Sequence, residues 1–440
     1  MLWDKGLGTW DMIFIAYSLS HIPKRVNQHL LIFTYERVLE AFMKPFAKRM
    51  DEIQFSMTVE IDTLAKRLST EGRSIWNLGV GEPNFDTPVH VKEAAIRSIN
   101  KGLTRYTTPS GMRSFKEAVS EKLLKENKLV YAPEQIIATS GAKHAVFNAI
   151  AALVDTDDEV LIPAPYWGTY PALVKYCKGN PIFLECTKEN KLKLKAEQIS
   201  KAITPKTKAI IINSPCNPTG VVYSKEELES FAKVIVENDL YCISDEIYEH
   251  LIYTKEQTTS IATLPEMQER TIIVNGFSKA YCMTGWRIGY LAAPKELAKG
   301  IAKVQGQTTH HPSNISQYGA IAALNGPFDS VIAMRQEFSE RMHRMSEIFR
   351  SIPDIDFLEP EGAFYLFVDV CSYYGKKTET GTLVSNSIEF CKALLDEQGL
   401  VIVPGISFGN DSYVRFSFTA SLPTISVAVP KFKEFVEGMK

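Results

Sequence analysis

A lysine, an aspartate, an asparagine and a glycine-led turn each stand just after a run of apolar, β-branched residues. Ser278-Lys279 follows Ile272-Ile273-Val274-Asn275, and Asp245 follows Tyr241-Cys242-Ile243-Ser244. Asn217-Pro218-Thr219-Gly220 comes after the run 208–213, and Gly141-Ala142-Lys143 after the run 135–139. An amine so placed can bond covalently to a carbonyl and carry protons, general acid–base help worth about 10²–10⁴-fold. A carboxylate at the end of a buried strand is costly unless a partner meets it. A glycine that opens a helix offers free N–H groups and the positive end of the helix dipole to an anion. Each residue also has a plainer role: a solvated lysine, an aspartate N-cap, an ordinary helix cap at Gly141, a structural tyrosine at Tyr248. Tyr248, three residues past Asp245, would share a helix face with it. The signal is the convergence of four strand ends on one edge, where open α/β sheets bind ligands.

The elements that must position these groups follow from the hydrophobic rhythm between residues 130 and 295. Short β-branched runs alternate with segments of helical period, which predicts a mostly parallel sheet flanked by helices. Seven strands are expected at 135–139, 159–163, 181–186, 208–213, 240–244, 271–275 and 288–293, with helices at 142–153 and 225–237. Ser224 and Glu227 have the spacing of a capping box at the second of these. Only residues 281–287 separate the last two strands, too few for a helical crossover, so the final strand should run antiparallel to its neighbour. Beyond this lie a long helix over 320–352, a strand at 362–368, a helix at 388–398 and strands at 401–404 and 414–418, the makings of a smaller α+β domain. An amphipathic helix within 55–73 has no core of its own and should dock on that C-terminal part. The expected division is 1–45 as a dispensable extension, 46–88 as the docking segment, 89–325 as the large domain and 326–440 as the small one.

Composition excludes several function classes. The 440 residues are 45% hydrophobic and 23% charged with a net charge of −2, ordinary for a globular protein. No basic stripe suggests nucleic acid, and no apolar run is long enough to span a bilayer. The best apolar stretch, 12–19, is short and lacks the flanks of a signal peptide. Seven cysteines stand singly, without metal-ligand spacing, as in a reduced cytoplasmic protein. Met43 is a natural start, and what precedes it is expected to be an extension or an over-long gene model.

Residues 213–220 (NSPCNPTG), 244–248 (SDEIY), Ser278-Lys279, 285–289 (GWRIG) and 414–417 (VRFS) together resemble the class I aminotransferases of pyridoxal-phosphate (PLP) fold type I. The likeness runs from about residue 56 to the C-terminus. Residues 80–85 (VGEPNF), Pro165-Tyr166-Trp167 and Gly285-Trp286-Arg287 are similar to the subgroup of bacterial and plastid aspartate and prephenate aminotransferases.

The resemblance implies PLP as cofactor, with Lys279 as its covalent amine and the proton carrier of the reaction. It implies Asp245 against the pyridine nitrogen, Tyr248 and Asn217 as donors to the ring oxygen, and Trp167 stacked on the ring. Gly141, Ala142, Lys143, Ser278 and Arg287 would hold the phosphate, joined by Tyr106 from the partner subunit of a homodimer. Arg287 lies eight residues past Lys279, the family's spacing. Arg415 and Gly81 would take the substrate α-carboxylate. One departure stands out: Gly276 occupies a position where many relatives carry a hydroxyl. A second substrate carboxylate must meet a cation, for which Lys143 is the candidate, assisted by Thr58. Aspartate with 2-oxoglutarate is the first choice of substrates and prephenate a second acceptor, by a ping-pong cycle. Other PLP chemistry, such as a carbon–sulfur lyase, and a non-enzymatic ligand sensor are the alternatives. The sensor is disfavoured because residues 1–55 carry no helix-turn-helix pattern or basic excess.

Overall fold

The computed structural model describes residues 46–440 except 54, 256 and 257. The expected extension 1–45, with its apolar stretch and Met43, lies outside the described residues. Residues Glu52–Lys440 form one compact unit.

Its main sheet has seven strands: β1 (Ile136–Thr139), β2 (Glu159–Ala164), β3 (Asn180–Glu185), β4 (Thr207–Asn213), β5 (Tyr241–Asp245), β6 (Thr271–Gly276) and β7 (Gly289–Ala292). Their order is β1-β7-β6-β5-β4-β2-β3. All pairings are parallel except those of β7, which runs antiparallel to both neighbours, as the short 281–287 connection requires. The central strands are nearly continuous Ile/Val runs because both faces are covered. Strand alternation sorts them: Ile211, Ile243 and Val274 pack with Val146, Ala149 and Ile150 of the helix Ala142–Leu153. Ile210, Ile212 and Cys242 face the other way, onto Leu228, Phe231 and Ile235 of the helix Lys225–Glu237. The capping box is formed: Glu227 N donates to Ser224 Oγ at 3.2 Å, and Ser224 N donates to Glu227 Oε2 at 2.7 Å.

A second sheet, antiparallel, contains β8 (Asp356–Phe357), β9 (Tyr365–Asp369), β10 (Val403–Pro404) and β11 (Tyr413–Ser417) in the order β10-β11-β9-β8. The single helix expected over 320–352 is instead two, Asn314–Asn325 and Asp329–Arg350. Gly326-Pro327 breaks it, since proline lacks the N–H and disfavours helical backbone at the residue before it. The expected strand 401–404 is also two pieces: Leu400–Val401 pairs with Trp76–Asn77, and Val403–Pro404 joins the second sheet. The helix Met57–Thr70 buries Ala65 and Leu68 against Leu395 and Val401. A closing helix, Leu422–Glu437, has no counterpart in the sequence reading; Pro423 and Pro430 interrupt its signal. Among the described residues no helix is long and apolar enough to cross a membrane.

Candidate active site

One cavity of about 410 Å³ opens at the carboxyl edge of the main sheet. Lys279, Ser278 and Arg287 line it from the β6–β7 connection, Asp245 from the end of β5, Tyr248 from the turn after it, and Asn217 from beyond β4. Ala142, Lys143 and Trp167 complete the sheet side, while Thr58, Gly81 and Arg415 close it from the N-terminal segment and the second sheet. Gly141 borders it through Arg287. Tyr106 does not line it; it is 89% exposed, its ring edge-on to His310 and His311.

The anion-binding corner is set by close backbone contact. Gly141, at φ +85°, begins the turn into the helix Ala142–Leu153, and a Cβ there would lie 2.6 Å from Arg287 Nη2. Arg287 donates to Thr284 O at 2.8 Å and Ser140 O at 3.2 Å, which pins its guanidinium beside the helix start. On β7, a Cβ at Gly289 would meet Ala142 N at 2.8 Å. At Gly276 a Cβ would come within 3.1 Å of Gly289 Cα and 3.3 Å of Ile247 Cδ1. The space for a hydroxyl-bearing side chain is therefore tight, the physical reason for glycine at this departure from the family pattern.

Asp245 is 2% exposed at the end of β5. Tyr170 Oη donates to its Oδ2 at 2.7 Å and Ile247 N to its Oδ1 at 3.3 Å. Burial outweighs these bonds and lifts its carboxyl to about 6. The residues after it, 247–250, form a turn and not a helix, so Tyr248 reaches the cavity by that turn and not by a shared helix face. Tyr248 and Tyr365 hydroxyls lie 3.0 Å apart. Lys279 Nζ donates to Gly81 O at 2.5 Å, and burial with the nearby Arg415 charge lowers its amine to about 8.

Arg415, 2% exposed on the central strand β11, stacks over Tyr365 at 4.2 Å. Its Nη1 donates to Asn217 Oδ1 and its Nη2 to Gly79 O, each at 2.8 Å. Its Nε has no hydrogen-bond partner among the described residues. A Cβ at Gly81 would sit 2.5 Å from the Tyr365 hydroxyl, so only glycine fits beside it. Lys143 Nζ lies 5.1 Å from the centre of the Trp167 ring, and burial together with Arg287 lowers its amine.

Four contributors were missed in the sequence. Tyr170, Asn213, Tyr365 and Gly79 act through partners distant in the chain. Only Asn213 left a trace, as a polar residue ending an apolar strand; its Nδ2 donates to Asp245 O and its Oδ1 accepts from Asn217 N, each at 2.9 Å.

The donor set fits PLP. A buried amine faces a cavity that also holds a carboxylate with neutral hydrogen-bond partners, an aromatic wall at Trp167 and three phenols, Tyr170, Tyr248 and Tyr365. At its far corner, helix N–H groups, Ser278 and Arg287 suit a phosphate. An unpaired guanidinium N–H on Arg415 suits a carboxylate.

Known proteins agree with this geometry. The family model described as aminotransferase class I and II matches residues 73–429. An aspartate aminotransferase of Bacillus subtilis is 43% identical over 392 residues, 89% of this chain and 98% of that protein. An aspartate/prephenate aminotransferase of Nitrosomonas europaea is 40% identical over 388 residues, 88% of this chain and 98% of that protein. Among solved structures, the Thermus thermophilus aspartate aminotransferase with maleate superposes with a TM-score of 0.84 at 37% identity, covering 89% of this chain and 100% of that one. With the cavity assembled from these strand ends, the chain belongs to the class I and II aminotransferases, and it is a PLP-dependent enzyme.

Proposed function

We propose that this aminotransferase takes the amino group of aspartate and passes it to 2-oxoglutarate in a ping-pong cycle. The observation that carries the choice of an acidic donor is the pair of cationic groups on the cavity wall, Arg415 and Lys143, one for each carboxylate. The Thermus thermophilus relative was solved with maleate, a four-carbon dicarboxylate, which supports the same reading.

Bound PLP supplies an electron sink for the pair left when the substrate Cα–H bond breaks. Lys279 Nζ, once the substrate amine has displaced it from the cofactor, would take that proton and pass it to the cofactor carbon; an amine lowered to about 8 has a larger free-base share near neutrality. Asp245 would hold the pyridine nitrogen in its charged form. Tyr248 and Asn217 would donate to the ring oxygen, and Trp167 would cover the ring face. Gly141, Ala142, Ser278 and Arg287 would receive the phosphate, which leaves Lys143 for the substrate. Arg415 and Gly81 would hold the α-carboxylate on the cavity wall shared with Lys279. Lys143, with Thr58, meets the side-chain carboxylate. Prephenate, a dicarboxylate bearing a ring, is a second acceptor by the same logic, and the Nitrosomonas europaea relative carries that activity in its name. The test is a half-reaction panel of aspartate, glutamate, tyrosine, alanine and arogenate, followed by the cofactor's absorbance. Conversion by aspartate is expected; failure with both acidic donors ends the assignment.

We further propose a homodimer in which Tyr106 reaches the partner's phosphate corner. Its exposure and the exposed apolar residues Val89, Ile96, Ile99 and Leu103 nearby in sequence support this. Mixed dimers of Tyr106→Ala and Lys279→Ala chains should regain activity, because one of the two sites is then intact; no recovery would mean action in cis. The free cysteines support a cytoplasmic location. We also propose the division into a docking segment 46–88, a large domain 89–325 and a small domain 326–440.

A further inference from the structure

We propose that Glu249 and Asn275 form a positioning bridge that keeps the loop of Lys279 in register with the turn of Asp245 and Tyr248, with Lys122 as its fixed counter-charge. The inference rests on Lys279 being the cofactor amine.

Glu249 directly follows Tyr248, and Asn275 is the penultimate residue of β6, just upstream of Ser278-Lys279. Asn275 Nδ2 donates to Glu249 Oε1 at 2.6 Å, while Asn275 Oδ1 accepts from Gly276 N at 2.7 Å. Both ends of the amide are thus committed, and its orientation is set by the carboxylate. Lys122, 5% exposed on the helix Arg113–Asn127, donates to Glu249 Oε1 and, at 2.8 Å, to Asn127 Oδ1. Asn127 Nδ2 donates to Glu249 Oε2 at 2.8 Å. Glu126 lies 3.7 Å from Lys122 Nζ, and His250 Nε2 is 3.6 Å from both Glu126 and Glu249. Lys122 supplies a positive charge among these acids. Glu246, buried behind them, is bonded to Ser244 and Ser260.

None of Lys122, Glu249 and Asn275 lines the cavity, so they touch neither substrate nor cofactor site. A buried ion pair is a poor source of stability, often matched by apolar residues of equal volume. What a fully bonded pair does supply is one fixed geometry. Here that geometry joins the ends of β5 and β6, which carry the acid and the amine.

The test uses the full chain with Asn275→Ala, Glu249→Gln and both together. Three quantities are read: PLP affinity of the apoprotein by fluorescence titration, the pH profile of Lys279 acylation by acetic anhydride by peptide mass, and the melting temperature. Each single variant should weaken PLP binding roughly tenfold, the scale of one lost supporting hydrogen bond, and shift the acylation profile. The double variant should be little worse than either single one, because the two act as a unit. Variants that lose only melting temperature, with wild-type PLP affinity and acylation profile, overturn the bridge. Should Glu249→Gln not fold, Asn275→Ser leaves the Lys122–Glu249 pair in place and is read by the same outcomes. Borohydride trapping of PLP on the wild type separates the premises: label on a residue other than Lys279 overturns the cofactor assignment itself.

Discussion

Asp245 ends β5 and Glu249 lies in the turn that follows; both carboxylates are buried, yet they are driven in opposite directions. Asp245 is hydrogen-bonded only by neutral donors, Tyr170 Oη and Ile247 N, and burial lifts it to about 6. For Glu249 burial also pushes upward, but Lys122, His250 and Asn127 outweigh it and hold it at about 2. Depth alone does not decide charge; the presence of a cation in contact does. The side of the turn away from the cavity has a completed ion pair. The side facing the cavity has a carboxylate whose proposed partner is the cofactor's cationic ring.

The sharpest way to break this comparison is to remove the cation on the finished side. Lys122→Met should cost about 3–5 kcal/mol, since it leaves a buried charge unmatched; calorimetry finding wild-type stability would sink the idea. Next in size, Asp245→Asn should lower kcat with aspartate roughly 10²–10³-fold, the kinetic equivalent of losing such a partner for the ring. In PLP-free protein the same substitution should not lower the melting temperature, because it removes an unfavourable charge.

The pH dependence of apoprotein stability sharpens the contrast further. Asp245 has a folded value of about 6, above its ordinary 3.8. Its contribution is therefore full below about pH 3.8, lost as pH climbs through about 6, and flat beyond, a fall of about 3 kcal/mol. Glu249, at about 2 against an ordinary 4.5, contributes stability above pH 4.5 that is lost as pH falls toward 2. Denaturant titrations of Asp245→Asn should lack the upper window only, and an unchanged profile would contradict the assignment. The smallest expected effect belongs to Tyr170→Phe: one lost donor, about 1 kcal/mol, read as a further rise of the Asp245 carboxyl and a several-fold slower turnover.

Much of the site was legible because its residues end apolar runs. Lys279, Asp245 and Asn217 each follow a strand whose composition announces it, and all seven strands lie within one residue of their expected bounds. The antiparallel β7 was legible too, from a connection too short to cross over. Tyr170 and Tyr365 were not, because their meaning lies in contacts with Asp245, Tyr248 and Arg415, far along the chain. The helix break at Gly326-Pro327 had a local signal that the long apolar period overrode. The helix Leu422–Glu437 had the reverse problem: tertiary packing of Ile425, Val429 and Phe432 sustains it despite Pro430.

Gly289 and Gly276 face each other across β6 and β7, with the backbone of Gly141 and Ala142 resting directly above. The resting place of an anion at that corner is consequently measured off from bare backbone, with no side chain as spacer. A single methyl added at Gly289 would wedge the helix start away from the sheet, and the corner would loosen its grip although every charged group remained.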